Sequence, residues 1–174
     1  GLCAIALAKA AGASQVVAIG APFDRLSLAL RMGADVSIDL RMIPPAERLD
    51  MVGVVTHGEG ADVVIEAAGA ADAISEGLDL LRVGGRYVIA GHYTDVGVSM
   101  INAHRQINRK HLEIRGCWGS EPRHFLRALS VLERHPVIPF RAIGAKTYGL
   151  SALNEALADA EAMRIPKALV DPFA

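Results

Sequence analysis

The sequence of 174 residues has few cysteines, few aromatic side chains and almost no excess of one charge. Two cysteines, Cys3 and Cys117, are too few for the disulfide framework of a small secreted protein, so a reducing, cytoplasmic location is the default expectation. A formal net charge of -1 provides no general attraction to nucleic acid or to an anionic membrane. We therefore expect neither of these as a partner.

Motifs of several common classes are also missing. Residues 2–23 are rich in apolar side chains, but Lys9, Ser14 and Gln15 interrupt them and no basic segment precedes them, which argues against a membrane span or a signal peptide. The sequence contains no G-x-S-x-G turn and no P-loop lysine. Its six histidines include no H-x-x-x-H pair and no cysteine partner at zinc spacing. We expect no metal ligand and no catalytic residue in this chain.

What the sequence does contain is a strand–helix–strand unit at residues 61–92. The β-branched run 63–65 is typical of a strand that is covered on both faces. An amphipathic helix follows, and Gly84-Gly85 is predicted to end it before a second strand. A helix of this length predicts a parallel strand pair, whose ends lie at one edge of the sheet. The strand ends lie at 66–69 and 90–92, and the small residues within them predict a site where a flat ligand lies across that edge.

The rest of the chain alternates helices and strands. The pattern predicts helices at 1–11, 22–33, from 44 onward, 121–135 and from Ser151, and strands at 15–19, 36–40, 112–118, 143–150 and 167–170. This rhythm predicts an α/β fold with a doubly wound, mostly parallel sheet. The chain opens on a helix where a dinucleotide-binding sheet opens on a strand. Since the first residue is Gly1 and not Met, we expect that strand to belong to a larger protein.

Five segments together resemble one known family. They are Gly1-Leu2 to Gly12-Ala13, DRLSLALRMGAD at 24–35, GADVVIEAAG at 60–69, LRVGGRYVIAGHYTD at 81–95 and NRKHLEIRGCWGS at 108–120. Their order and spacing are similar to the coenzyme-binding half and C-terminal tail of zinc-type medium-chain alcohol dehydrogenases. The last two resemble a branch acting on secondary alcohols, including polyol, threonine and hydroxycamphor dehydrogenases. The resemblance implies a partial Rossmann domain at 1–135 and, at 136–174, a segment of the catalytic domain.

The resemblance also implies which residues bind the cofactor. Gly1 matches the third glycine of a G-x-G-x-x-G turn, at the helix N-terminus that faces the pyrophosphate. Lys167 matches a basic position that reaches the cofactor phosphates. Residues 67–69 match a segment on the adenosine side, whereas 90–92 and 117–118 match segments near the nicotinamide. The complete set is Gly1, Leu2, Gly20, Ala21, Arg25, Ala67, Ala68, Gly69, Ala90, Gly91, His92, Cys117, Trp118 and Lys167.

The choice between NAD and NADP stays open at this stage. Gly20, at a strand tip, offers no carboxylate that would repel a 2′-phosphate, and Ala21 and Pro22 offer no cation that would attract one. Arg25 matches a basic family position beside the adenosine ribose, although a solvated helix residue explains it equally well. Taken together, these residues slightly favour NAD over NADP.

The implied reaction is hydride transfer between a secondary alcohol and NAD(P), with the matching ketone as the oxidised partner. In this family zinc lowers the pKa of the bound hydroxyl, and its ligands precede the coenzyme domain. We therefore expect this chain to bind cofactor but to be inactive alone. Cys117 is expected to be a buried thiol. The edge strand at 112–118 predicts a homodimer or homotetramer.

Two alternatives remain. One is a zinc-free quinone or enoyl reductase of the same superfamily. The other is a non-catalytic module that binds a nucleotide or only mediates contact between subunits.

Overall fold

The computed structural model describes residues 1–144 and 146–174. In chain order its helices and strands are α1 (Leu2–Ala10), β1 (Val17–Gly20), α2 (Phe23–Arg31), β2 (Val36–Asp39), α3 (Pro45–Val55), β3 (Ala61–Glu66), α4 (Ala71–Leu80), β4 (Leu81–Ile89), β5 (Glu113–Gly116), α5 (Pro122–Arg134), β6 (Lys146–Gly149), α6 (Leu153–Glu161) and β7 (Ala168–Asp171). A π-helix spans Ala103–Asn108, and short 3-10 helices span Phe140–Gly144 and Leu150–Ala152.

The strands pair in parallel, as β1 with β2, β3 with β4 and β5, and β6 with β7. The predicted α/β fold with parallel strands is thereby confirmed. The strands form three sheets rather than one, because no hydrogen-bonded ladder within the described residues joins the β1–β2 pair to β3. The chain divides into two compact units, Leu40–Phe125 with Gly1, and Leu2–Asp39 with Leu126–Ala174. The division at residue 135 that the resemblance implies stays a prediction.

In the unit Leu40–Phe125, α4 packs on the β3–β4–β5 sheet through a cluster of Leu78, Leu81 and Tyr87. The hydroxyl of Tyr87 is fully buried and donates a 2.9 Å hydrogen bond to the Ala73 carbonyl, and burial raises the pKa of this phenol.

The expectation that the 63–65 strand is covered on both faces is wrong for this chain. Val63 and Ile65 are 49% and 42% exposed. Val64, between them, packs against the cluster beneath α4. The two faces differ because side chains alternate along a strand and α4 covers only one of them.

The predicted end of the second helix of this unit is also wrong. Helix α4 ends at Leu80, four residues before Gly84-Gly85, which lie at an irregular point of β4. Carbonyl groups at and just after the end of α4 accept hydrogen bonds from Lys110. Its ammonium donates to the carbonyls of Leu78, Asp79 and Leu81 at 2.9, 2.8 and 2.7 Å. A side chain from the next strand connection thus replaces a glycine cap.

In the other unit, α1 and α2 bury small and medium side chains together, among them Ala6, Leu28 and Met32. A second cluster, Tyr148, Ala156 and Ile165, joins β6 to α6. The helix predicted from Ser151 begins at Leu153, because Ser151 lies in the 3-10 turn and Ala152 precedes α6 without a side-chain cap. Of the predicted extended segment 143–150, only β6 is a strand, and residue 145 lies outside the described residues.

None of the helices in the described parts of the chain combines the length and apolarity that crossing a membrane requires.

Candidate functional site

Two strand ends lie side by side in the unit Leu40–Phe125. Glu66, the last residue of β3, is in register with Ile89, the last residue of β4. The ladder continues one step further, since the Ala90 amide donates to the Glu66 carbonyl at 2.9 Å. The segments 67–69 and 90–92, both predicted to contact the cofactor, are therefore neighbours at one edge of the sheet, as the parallel pairing requires. These two segments are called the strand tips of β3 and β4.

Glycines make this close approach possible. A Cβ on Gly69 would lie 2.6 Å from the carbonyl oxygen of Gly91, and a Cβ on Gly91 would lie 2.5 Å from the amide nitrogen of Gly69. Gly69 also has a φ of +70°, which non-glycine residues rarely adopt. The small residues therefore have a structural purpose that the sequence analysis did not anticipate, which is to let the two strand tips touch each other.

The carboxylate of Glu66 ties the tips together. Its Oε1 accepts the Ala68 and Gly69 amides, both at 2.6 Å, and its Oε2 accepts the Gly91 amide at 3.2 Å. Glu66 is only 5% exposed, so the negative charge is compensated by backbone N–H groups rather than by water. Glu66 is not among the site residues predicted from the sequence. An acid at the end of an apolar strand, directly before a run of small residues, was the signal that could have distinguished it.

His92 begins the wall of a cavity of about 370 Å³ beside the strand tips. Its Nε2 lies 3.7 Å from Oε2 of Glu66, too far for a hydrogen bond, and is buried without a hydrogen-bond partner in the part of the chain that the structure describes. The other residues that line this cavity are 93–97 and Trp118. The rings of Tyr93 and Trp118 contact each other, with centroids 5.7 Å apart and planes tilted by 33°.

Cys117 and Trp118 follow β5 at the same edge. The Cys117 amide donates to the Ile89 carbonyl at 2.9 Å, which fixes this segment to the end of β4. The expectation of a buried Cys117 thiol is wrong, because the residue is exposed. The reason is that β5 is the edge strand of its sheet and all four of its residues are exposed.

Gly20, Ala21 and Arg25 belong to the other unit. Gly20 ends β1 and pairs in register with Asp39, so a carboxylate stands at the neighbouring strand tip. Arg25 is not a freely solvated side chain. Its Nη2 donates to the Ile165 carbonyl at 3.2 Å, and its Nε is buried without a partner among the described residues.

Lys167 lines a second cavity, of about 590 Å³, in the same unit as Arg25. Arg141, which sequence reasoning missed, also lines it, and neither cation forms a salt bridge to a described residue. The other lining residues are Cys3, Phe140, Ile143, Gly144 and Leu169. Two positive charges and no carboxylate make this cavity suitable for an anion.

The first residues of α1 differ in their surroundings. Leu2 packs against the buried cluster of α1 and α2, so its side chain contributes to the core. Gly1 is exposed, and a Cβ there would meet no atom within 4 Å. Contact of either residue with a cofactor stays a prediction.

No group of three or more histidine, cysteine or acidic side chains that could hold a metal ion occurs in residues 1–144 and 146–174.

The chain is similar to known proteins over nearly its whole length. The profile of the family described as zinc-binding dehydrogenase matches residues 1–134. The 5-exo-hydroxycamphor dehydrogenase of Pseudomonas putida is 31% identical over 172 residues, which is 98% of this chain and 47% of that protein. The L-threonine 3-dehydrogenase of Bacillus licheniformis is 36% identical over 144 residues, 82% of this chain and 40% of the relative.

Among solved structures, an alcohol dehydrogenase of Thermotoga maritima superposes with a TM-score of 0.89 at 29% identity, covering 97% of this chain and 46% of that one. The chain thus spans about half the length of the relatives it matches.

Proposed function

Because the chain belongs to the zinc-binding dehydrogenase family, we propose that it supplies the coenzyme-binding part of an NAD(P)-dependent alcohol dehydrogenase. The complete protein would transfer hydride between a secondary alcohol or its ketone and the nicotinamide. The observation that carries the proposal is the meeting of the 67–69 and 90–92 segments at one sheet edge, beside a cavity with an aromatic wall. Carboxyl ends of parallel strands are where open α/β sheets bind nucleotides.

We assign the nicotinamide end of the coenzyme to the cavity of residues 92–97 and Trp118. A flat, partly charged ring can stack on an aromatic face, which Tyr93 and Trp118 offer. Gly91 carries no side chain, and the space that a Cβ would occupy there is filled by Gly69, which keeps the two segments of this edge in contact. When bound, the coenzyme supplies the hydride acceptor or donor, whereas the residues of this chain bind and orient it.

The cavity of Lys167 and Arg141, taken by itself within its own unit, is proposed to bind a phosphate group, as the resemblance implies for Lys167. Both side chains are exposed and have no ion-pair partner among the described residues, so their charge is available to a diphosphate. The apolar remainder of the wall favours an anion that also has a nonpolar surface. Lys167 was predicted from the resemblance, and Arg141 adds a second cation.

NAD is the preferred coenzyme of the proposal. The 2′-phosphate of NADP needs a cation, and the nearest one to Gly20 in sequence, Arg25, already donates to the Ile165 carbonyl. Asp39 at the tip beside Gly20 adds negative charge, which disfavours a further phosphate.

The residues described here do not fit a zinc site, so no chemical step is assigned to a metal held by this chain. In the complete dehydrogenase, the zinc and its ligands are proposed to lie outside the sequence of this chain. We expect residues 1–174 alone to bind coenzyme without oxidising alcohols.

A second proposed role is subunit contact. Strand β5 is the edge of its sheet and is fully exposed, with Ile114 at 40% and the following Trp118 at 78%. An exposed edge strand can pair with the same strand of a second copy in a homodimer or homotetramer.

Titration with NADH tests the proposal. Trp118 is the only tryptophan of the chain and lines the proposed nicotinamide cavity, so bound NADH should quench its fluorescence and emit by energy transfer. We expect saturable transfer with NADH and weaker binding of NADPH. Calorimetry of the same titration, repeated with Trp118→Phe, separates binding from the optical signal. Absence of heat and of energy transfer at roughly 1 mM NADH would contradict coenzyme binding and favour the contact module.

A further inference from the structure

We propose that Glu66 is a positioning residue for the coenzyme, in that its carboxylate holds together the two strand tips that form the proposed binding edge. The inference rests on the proposed function, because it concerns the same edge of the sheet. Glu66 itself would not contact the coenzyme, since both of its oxygens are occupied by this chain's own N–H groups.

The geometry shows why one carboxylate can control both tips. Oε1 binds the turn that follows β3, through the amides of Ala68 and Gly69, and Oε2 binds the turn that follows β4, through the amide of Gly91. Besides the ladder bond from the Ala90 amide to the Glu66 carbonyl, the two turns approach each other at Gly69 and Gly91, which carry no side chains. A buried carboxylate that accepts three N–H groups is the strongest tie available there.

The same contacts require an acceptor oxygen on both arms of the side chain, which an acid provides and an amide does not. A carboxylate presents acceptor sites on both oxygens, whereas the amide of glutamine replaces one oxygen by an NH₂ group that can only donate. In Glu66→Gln, either the Ala68 and Gly69 amides or the Gly91 amide would face another donor. Because the site is buried, the lost acceptor could not be replaced freely by water.

His92 adds a second observation at the same carboxylate. Its buried Nε2 has no hydrogen-bond partner among the described residues and lies 3.7 Å from Oε2 of Glu66. The imidazole of His92 therefore lies beside the carboxylate of Glu66 without a hydrogen bond to it.

The core beneath α4 does not depend on this tie. Its members Leu78, Leu81 and Tyr87 include no residue of either tip. Loss of the tie should therefore be seen first in coenzyme affinity and in the exchange of the tip amides, and less in the stability of the folded chain.

The test compares wild type, Glu66→Gln and Glu66→Asp with the matched control Asp62→Asn. Asp62 lies on the same strand, but its side chain is 79% exposed in an ion pair with Arg82. For NADH, followed through Trp118, we expect the Kd to rise roughly 5- to 100-fold in Glu66→Gln and less in Glu66→Asp, which keeps the charge. Asp62→Asn should stay within about twofold of wild type.

Hydrogen exchange of the tip amides provides a readout that does not need coenzyme. In the wild-type chain the amides of Ala68, Gly69 and Gly91 should exchange slowly, and Glu66→Gln should accelerate all three while the β4 amides stay protected. Exchange of these amides at the rate of a free peptide in wild type would overturn the inference, even where the variants do not fold.

The outcomes separate the two proposals. NADH binding by wild type with an unchanged Kd in folded Glu66→Gln would overturn the positioning role and leave the proposed function intact. A wild-type chain that binds no NADH would contradict both, and the exchange experiment would then show only a structural tie.

Discussion

Arg48 and Glu76 join α3 to α4 through two parallel side-chain hydrogen bonds, Nε to Oε1 at 2.6 Å and Nη2 to Oε2 at 2.5 Å. The third nitrogen, Nη1, donates to the Ile43 carbonyl at 2.5 Å. Arg48 is only 7% exposed, and the hydrogen bonds that it donates to Glu76 raise the pKa of the guanidinium. The pair is therefore a bidentate connection between two helices of the unit Leu40–Phe125, in which Arg48 is buried and Glu76 is partly exposed.

Glu76→Gln should lower the free energy of unfolding by about 2–4 kcal/mol, because it leaves a buried arginine without its counter-charge. Urea denaturation followed by circular dichroism measures the change. Glu59→Gln is the matched control, since Glu59 is exposed and its side chain forms no ion pair with a described residue. Equal midpoints for the two variants would show that the pair contributes no more than a surface contact.

Lys110→Met should destabilise the chain by about 1–3 kcal/mol, because three carbonyls near the end of α4 lose their donor. The neighbouring Arg109→Gln, at an exposed position, should change stability by less than about 0.5 kcal/mol. Thermal and urea unfolding of both variants provide the comparison. If the two behave alike, the end of α4 is stabilised by its packing and not by the ammonium.

Lys110 also illustrates which features of the fold the sequence predicts and which it does not. The strands β3 and β4 and the helix between them follow from local periodicity and were predicted. The end of α4 was not, because its cap is supplied from about thirty residues away. Glu66 resembles any acid at a strand end until the fold places Gly91 beside it. Arg141 joins Lys167 only after β6 and β7 have paired, which no local pattern records.

Gly91→Ala should weaken NADH binding and lower stability together. A Cβ there would lie 2.5 Å from the Gly69 amide nitrogen and 2.8 Å from the carbonyl carbon of Ala67, both backbone atoms that cannot move without separating the tips. We expect a loss of about 1–3 kcal/mol in stability. Gly116→Ala is the control, because a Cβ on Gly116 meets no atom within 4 Å and its φ is not positive. Equal NADH affinity in both variants would contradict the assignment of this edge to the coenzyme.

Acid sensitivity should depend on Asp159. Hydrogen bonds from Tyr148, Lys146 and Arg164, in that order of effect, hold the pKa of this carboxyl well below its ordinary value of 3.8. The unfolded chain therefore takes up the proton at a higher pH than the folded chain does. The stabilisation is complete above the ordinary pKa and is lost as the pH falls toward the lowered one.

Asp159→Asn should accordingly flatten the loss of stability between about pH 5 and pH 3. Urea midpoints measured across that range in wild type and variant give the slope. Asp50→Asn, at an exposed position without an ion pair to a described residue, should keep the wild-type slope. If Asp159→Asn keeps the full wild-type slope, the acid sensitivity is due to other carboxylates.

Arg141→Gln and Lys167→Gln should each weaken NADH binding by roughly threefold to tenfold, because each removes one charge from the proposed phosphate cavity. Arg127→Gln on α5 is the matched control, as Arg127 is exposed and does not line the cavity.

Cys3 offers an independent measurement of the same cavity, since its exposed thiol lies in the wall with both cations. In a Cys117→Ser background, where Cys3 is the only thiol, NADH should slow alkylation of Cys3 in wild type and less so in Arg141→Gln. Nicotinamide alone, which has no phosphate, should leave the alkylation rate unchanged. Equal protection by nicotinamide and NADH, or unchanged NADH affinity in both cation variants, would contradict the proposal that this cavity binds a phosphate group.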